Sequence, residues 1–163
     1  MRVISIFLII LMAVNLASCS KFKKYSGPEV TRVLIYKEDR KMFLMHNDKP
    51  LKIYDVGLGF APVGHKQIEG DGRTPEGDYF VDRRNPNSQF YLSIGLSYPN
   101  KVDRAYARSI GKSPGGDIFI HGRPDAYKNG VDDWTAGCVA VSNAEMRDIY
   151  AMVKQGTLVS IYP

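Results

Sequence analysis

The rhythm of hydrophobic and polar positions changes several times along this chain. Val3 to Val14 is almost continuously apolar, Arg2 is the one charge in the first eighteen residues, and Asn15-Leu16-Ala17-Ser18 closes the stretch. A short positive start, an apolar run of about a dozen residues and small residues behind it have the form of a secretory signal. The run is shorter than the ~20 residues a bilayer span requires, and it lacks the polar face of a buried amphipathic helix. From Val30 the period becomes two. Arg32 to Lys37 and Lys41 to Met45 flank the charged turn Glu38-Asp39-Arg40, which predicts a hairpin. His46 to Pro50 is a second turn leading into the alternating segment Leu51 to Gly57.

Further along, residues 57–78 are rich in Gly, Pro and charge and predict a long structured loop. Tyr79-Phe80-Val81 and Leu92 to Tyr98 predict strands separated by the turn Asn85-Pro86-Asn87-Ser88. Residues 101–110 suit a helix stopping at Gly111. Asp117-Ile118-Phe119-Ile120-His121 predicts a short buried strand ending on His121, and Thr135 to Val141 a turn followed by a strand. Ser142 and Glu145 form a capping-box pattern, with Met146, Ile149, Tyr150 and Val153 on one face and Gly156 as the stop. Thr157 to Tyr162 predicts the last strand. Many short strands with one or two helices predict a mainly-β domain of α+β type, a barrel or sandwich, over residues 30–163.

Composition narrows the class. The 163 residues suffice for one domain with its own core. Hydrophobic and charged contents of 44% and 24% exclude wholesale disorder. A net charge of +5 suits an acidic polymer as partner, whereas export and the lack of a concentrated basic stripe argue against nucleic acid. Leu16-Ala17-Ser18-Cys19 resembles the lipobox of bacterial lipoproteins, which implies a signal over residues 1–18 and a lipidated Cys19 at the head of a polar tether, residues 19–29, containing Gly27-Pro28. Acyl chains contribute about 0.8 kcal/mol per buried methylene, so a multiply acylated Cys19 would hold the protein on a membrane. Ser20, rather than Asp, favours the outer membrane where the envelope has two.

Two cysteines are present, and the lipobox accounts for one. Cys138 is then unpaired in an oxidising compartment, which points to a reactive thiol or intermolecular pairing, with a buried inert thiol as the plain alternative. Its neighbours favour reactivity. His121-Gly122 ends an apolar strand, and Thr135-Ala136-Gly137-Cys138 follows, with Cys138 seventeen residues after His121. An imidazole beside the thiol can stabilise the thiolate as an ion pair and then protonate a leaving amine. Gly137 permits a tight turn that would aim the N–H groups of Gly137 and Cys138 at an oxyanion.

These residues resemble the His…Ser/Thr-x-Gly-Cys signature of YkuD-type L,D-transpeptidases. Gly72-Arg73-Thr74-Pro75-Glu76-Gly77-Asp78-Tyr79 resembles that family's Thr-Pro-x-Gly segment, and Val56-Gly57-Leu58-Gly59 also fits. Phe60-x-Pro62-Val63-Gly64-His65-Lys66, Glu69-Gly70-Asp71 and Asp133-Trp134-Thr135-Ala136-Gly137-Cys138 look closest to the YafK-like branch. The resemblance runs from Val30 to Tyr162. It implies Cys138 as nucleophile and His121 as proton donor and acceptor, the imidazole being oriented by a backbone carbonyl, so that Asp132 and Asp133 need not form a triad. It implies peptidoglycan stem peptides as substrate and a thioester resolved by an amine or a lipoprotein lysine. It calls for no cofactor and no metal.

Two positions depart from the crosslinking members, which carry His before Gly-Cys and Arg or Asn two residues after it. Here they are Ala136 and Ala140. The YafK-like branch includes hydrolytic members, so water is the alternative acceptor. A catalytically silent peptidoglycan-binding lipoprotein is a third reading. Gly122, Thr135, Trp134, Arg73 and His65 are candidate substrate contacts. Lys66, Arg73, Arg83, Arg84 and Arg123 are able to hold stem carboxylates, although each also suits a solvated surface. Three dispersed histidines and one thiol give no zinc-ligand spacing.

Overall fold

The three period-two segments at the start of the domain fold as an antiparallel meander of β1 (Arg32–Tyr36), β2 (Lys41–His46) and β3 (Lys49–Asp55). Val33, Ile35, Met42 and Leu44 point inward and are fully buried, as alternation dictates when one face of a sheet is covered. These elements belong to a computed structural model that describes residues 21–124 and 133–163. The lipobox Leu16 to Cys19 and Asp132 lie outside the described residues. The second turn is tighter than the expected His46–Pro50: only Asn47 and Asp48 connect β2 to β3, and Asn47 takes the left-handed conformation (φ 51°) that asparagine tolerates. Pro50 is accommodated because β3 ends the strand order, where a missing N–H costs no ladder bond.

β4 (Gly77–Asn85) runs four residues beyond the expected Val81. Its charged second half remains extended because β4 changes partner at a bulge between Val81 and Arg83. Gly77 to Phe80 pair with β8 (Leu158–Tyr162), and Val81 to Asn85 with β5 (Ser93–Leu96). β6 (Phe119–His121) and β7 (Val139–Ala140) complete an eight-stranded sheet in the order β3-β2-β1-β8-β4-β5-β6-β7. The sheet curls until its edges meet: just past β3, Gly57 exchanges both backbone hydrogen bonds with Ala140 of β7, at 2.9 and 2.8 Å. The core lies inside this curl.

α1 (Lys101–Ser109) starts at Asn100, whose side chain accepts the N–H groups of Val102 and Asp103 while Asp103 caps in return. α2 (Asn143–Met152) starts at the expected capping box of Ser142 and Glu145 and buries Met146 and Ile149. It ends at Met152, four residues before the expected Gly156. Val153 is already extended, because Gly156 N–H and Thr157 O are drawn into hydrogen bonds with Val81 at 2.8 and 2.9 Å, which launches β8. Lys21 to Glu29, read as a tether, make contacts with the domain: Lys23 pairs with Asp148 at 2.7 Å and Glu29 with Lys154 at 3.0 Å.

The irregular segment between β3 and β4 is fixed by two buried ammonium groups. Lys37 Nζ donates to Gly64 O, Thr74 O and Glu76 Oε1 at 2.6, 3.2 and 2.6 Å, which uses all three of its donors. Lys66 Nζ donates to Asp71 and to Ile68 O at 2.9 and 3.1 Å. An unpaired buried ammonium would cost several kcal/mol, so these partners determine the path of the segment that runs past the Gly-Cys turn.

Candidate active site

β6 and β7 run parallel, placing Ile120 beside Val139 and His121 beside Ala140. One step back along both strands, Phe119 N–H donates to Cys138 Sγ at 3.4 Å. His121 therefore ends β6, and Cys138 stands just before the adjacent β7. Both line a cleft of about 260 Å³ together with Asn85, Ser88, Phe90, Ser93, Asp117 and Phe119.

The turn that presents Cys138 is held from inside. The buried Thr135 hydroxyl donates to Cys138 O at 2.7 Å and accepts Gly137 N–H at 3.1 Å. Gly137 has φ 134°, and a Cβ there would lie 2.6 Å from Arg73 O, so only glycine fits. Thr135 is thus a positioning residue, buried behind the turn and outside the cleft lining. Gly137 N–H points to the Thr135 hydroxyl in this structure. Arg73 also falls outside the cleft lining, with its carbonyl packed behind Gly137 and its guanidinium directed towards Gly64.

His121 is 3% exposed, and its Nδ1 donates to Gly122 O at 2.6 Å. With the proton on Nδ1, Nε2 is the acceptor nitrogen. Phe90 stacks on the imidazole at 4.5 Å, and Trp134 meets it edge-on at 5.7 Å. Trp134 buttresses the histidine from outside the cleft lining, and Gly122 contributes its carbonyl to the imidazole.

The electrostatics keep both groups neutral at rest. Burial lowers the His121 pKa; Gly122 O opposes this and the Arg123 guanidinium adds to it. Burial raises the Cys138 pKa; the Phe119 N–H pulls it back and the Asp117 carboxylate pushes it further up, with Lys66 and Arg83 lowering it more weakly. A thiol and a neutral imidazole are favoured over the expected thiolate–imidazolium pair.

The other sequence candidates have structural duties. His65 Nδ1 accepts Glu76 N–H at 3.0 Å and its Nε2 donates to Asp103 at 3.1 Å, so it ties the loop to α1 and stands outside the cleft lining. Asp133 grips Arg40 through Nε and Nη2 and accepts Leu58 N–H at 2.9 Å. Arg123 is buried, its guanidinium reaching Ala140 O at 3.4 Å, and Arg84 lies over the Tyr150 ring.

A sequence profile of the YkuD family, the L,D-transpeptidase catalytic domain, matches residues 30–161. The chain belongs to this family. It is 30% identical over 144 residues to YafK of Escherichia coli K12, covering 80% of this chain and 53% of YafK. The crystal structure of Pgp2, a helical cell shape determining protein of Campylobacter jejuni, superposes with a TM-score of 0.63 at 27% identity, over 84% of this chain and 49% of Pgp2. Bd1075 of Bdellovibrio bacteriovorus gives a TM-score of 0.60 at 25% identity, over 86% and 50% of the two chains. The chain spans about half the length of these relatives.

Within this YkuD-family domain, Phe90, Ser93, Asp117 and Phe119 line the cleft without having been singled out from sequence. Asp117 did leave a trace, as a charged residue between Gly115-Gly116 and an apolar strand. Phe90 left none, because only the fold brings it onto His121.

Proposed function

We propose that this domain acts on peptidoglycan stem peptides by acyl transfer through a thioester on Cys138. The observation that carries the reading is the convergence of Cys138 and His121 on one cleft, with the imidazole tautomer set by Gly122 O. His121 Nε2 takes the thiol proton as Sγ attacks the carbonyl of diaminopimelate, the third residue of a tetrapeptide stem. The backbone N–H groups of Gly137 and Cys138 are the proposed donors to the oxyanion, the first having to leave the Thr135 hydroxyl to do so. The imidazolium then protonates the departing D-alanine amine, leaving the thioester. Membership of the L,D-transpeptidase family supports this chemistry, and the likeness to a cell shape determining protein supports a wall substrate.

An amine from a second stem, or a lipoprotein lysine, would resolve the thioester by transfer, and water by hydrolysis. Ala136 and Ala140 stand where the resemblance implies polar side chains in crosslinking members, which supports water as the alternative acceptor. Export and a lipid anchor at Cys19 complete the proposal, placing the domain in the cell envelope. Among the described residues no helix is long and apolar enough to cross a membrane.

Muropeptides incubated with the protein and read by mass spectrometry test the proposal. Free D-alanine with crosslinked dimers identifies a transferase, whereas free D-alanine with tripeptides, or a lipoprotein released from its stem without D-alanine, identifies a hydrolase. Unchanged muropeptides would contradict both and leave a peptidoglycan-binding lipoprotein.

A further inference from the structure

Arg83, Gly95 and Phe119 lie side by side across β4, β5 and β6, and the next position on the same row is Cys138. Gly95 has no side chain, and a Cβ there would come within 2.6 Å of Arg83 Cγ and 2.9 Å of its Nε. The guanidinium therefore crosses the middle strand and covers the Phe119 ring, 4.5 Å from its centroid. The bulge between Val81 and Arg83 re-registers β4 so that Arg83 falls on this row.

Across the row stands Asp117. Its Oδ1 is 2.8 Å from Arg83 Nη2, its carbonyl oxygen accepts the Cys138 Sγ–H at 3.5 Å, and it lines the cleft. Asp117 is non-glycine at φ 53°, a left-handed conformation that is strained for most side chains. Its side chain is 88% exposed. An ion pair this open to water contributes little to stability, and Arg83 already has a carboxylate partner in Asp82, which accepts from its Nη1 at 2.9 and 3.1 Å, so the reach of its Nη2 to Asp117 is not needed to satisfy the guanidinium. What the row supplies is an anion on the cleft lining, Asp117, and beside it a cation whose guanidinium lies over Phe119, the cleft residue next to the thiol.

We propose that Arg83 and Asp117 recognise the free amino-acid end of the diaminopimelate side chain, Arg83 taking its carboxylate and Asp117 its ammonium. This inference rests on the reading that Cys138 is acylated by the stem. The two groups give up their mutual hydrogen bond for bonds to a zwitterion whose charges sit on a single carbon and match the pair in sign, while Asp82 keeps its hold on Arg83 Nη1. Guanidinium–carboxylate pairing gives the carboxylate directional recognition. A stem whose third residue ends in an amide or in a lone ammonium satisfies half of the pair and leaves the other half unmatched.

The test uses the full-length protein and three tetrapeptide stems: one with free meso-diaminopimelate, one amidated on the side-chain carboxyl, and one with L-lysine as third residue. D-alanine release is followed for the wild type, Arg83→Gln, Arg83→Lys and Asp117→Asn, alongside the pH profile of Cys138 alkylation. The wild type should favour the free diaminopimelate stem by about ten-fold or more in kcat/KM, as expected when a polar site loses its match. Arg83→Gln and Asp117→Asn should each erase that preference by raising KM for this stem alone, with kcat held, and Arg83→Lys should recover part of it. A pair that only tunes the thiol would shift the alkylation profile upward in Arg83→Gln and downward in Asp117→Asn and change the rate on all stems alike; that pattern overturns the inference. Equal use of the three stems by the wild type also overturns it and leaves the Cys138 mechanism standing. No D-alanine release from any stem contradicts the mechanism, and the inference falls with it.

Discussion

The imidazole of His121 donates from Nδ1 to the carbonyl oxygen of the next residue, Gly122, at 2.6 Å. Among the described residues it is this backbone carbonyl, and not a carboxylate, that engages Nδ1. The packing here depends on glycine, because a Cβ at position 122 would lie 2.3 Å from Asn143 Oδ1 and 2.8 Å from Phe90 O. Gly122→Ala should therefore displace the carbonyl and the Phe90 segment. We expect a loss of about 1–3 kcal/mol in stability from overpacking, and a fall in kcat larger than the change in KM. Urea unfolding and D-alanine release measure the two effects, and an unchanged kcat would separate the Gly122 carbonyl from catalysis.

Burial dominates the Cys138 thiol and holds its pKa above the ordinary range. Alkylation of the free enzyme by iodoacetamide should then stay slow near neutrality and rise only above the ordinary thiol value of about 8.5. A thiolate–imidazolium pair would instead give rapid alkylation on a plateau reaching below pH 7.

Because burial lowers the His121 pKa, the fold holds this side chain neutral. Its contribution to stability is complete above the unfolded value of about 6.5 and is lost as pH falls from there through the lower folded value. The urea midpoint should drop on acidification across this window, and the drop should be shallower in His121→Gln. Parallel pH curves for the two proteins would rule out His121 as the source.

Asp133 adjoins the Cys138 motif in sequence, yet its carboxylate holds Arg40 and the Leu58 N–H. Asp133→Ala should cost about 1–3 kcal/mol, the penalty for leaving such groups without their acceptor. At a temperature where the variant is folded, kcat should remain within a few-fold of the wild type. A kcat loss of several orders of magnitude would restore Asp133 to a catalytic role.

Much of this architecture is written in local pattern. The hairpin around Glu38-Asp39-Arg40, the capping box at Ser142 and the arrival of His121 at a strand end follow from period-two alternation and side-chain chemistry close in sequence. What escaped depends on distant partners. Arg83 and Arg84 look like a turn flank and are a strand, because β5 pairs with them. Lys37 and Lys66 look like surface charges and are buried, because carbonyls and carboxylates of the long loop enclose them. For Thr135, sequence gives its spacing from Cys138 but not the inward direction of its hydroxyl.

The most direct test of the account is intact-protein mass spectrometry after mixing with a tetrapeptide stem, in the wild type and in Cys138→Ala. The account predicts a wild-type adduct equal in mass to the stem minus D-alanine, mapped to Cys138 by proteolysis, with free D-alanine appearing in step. Cys138→Ala should give neither, since loss of the nucleophile commonly costs several orders of magnitude in rate. Release of D-alanine by Cys138→Ala at the wild-type rate, or an adduct on any other residue, would contradict it.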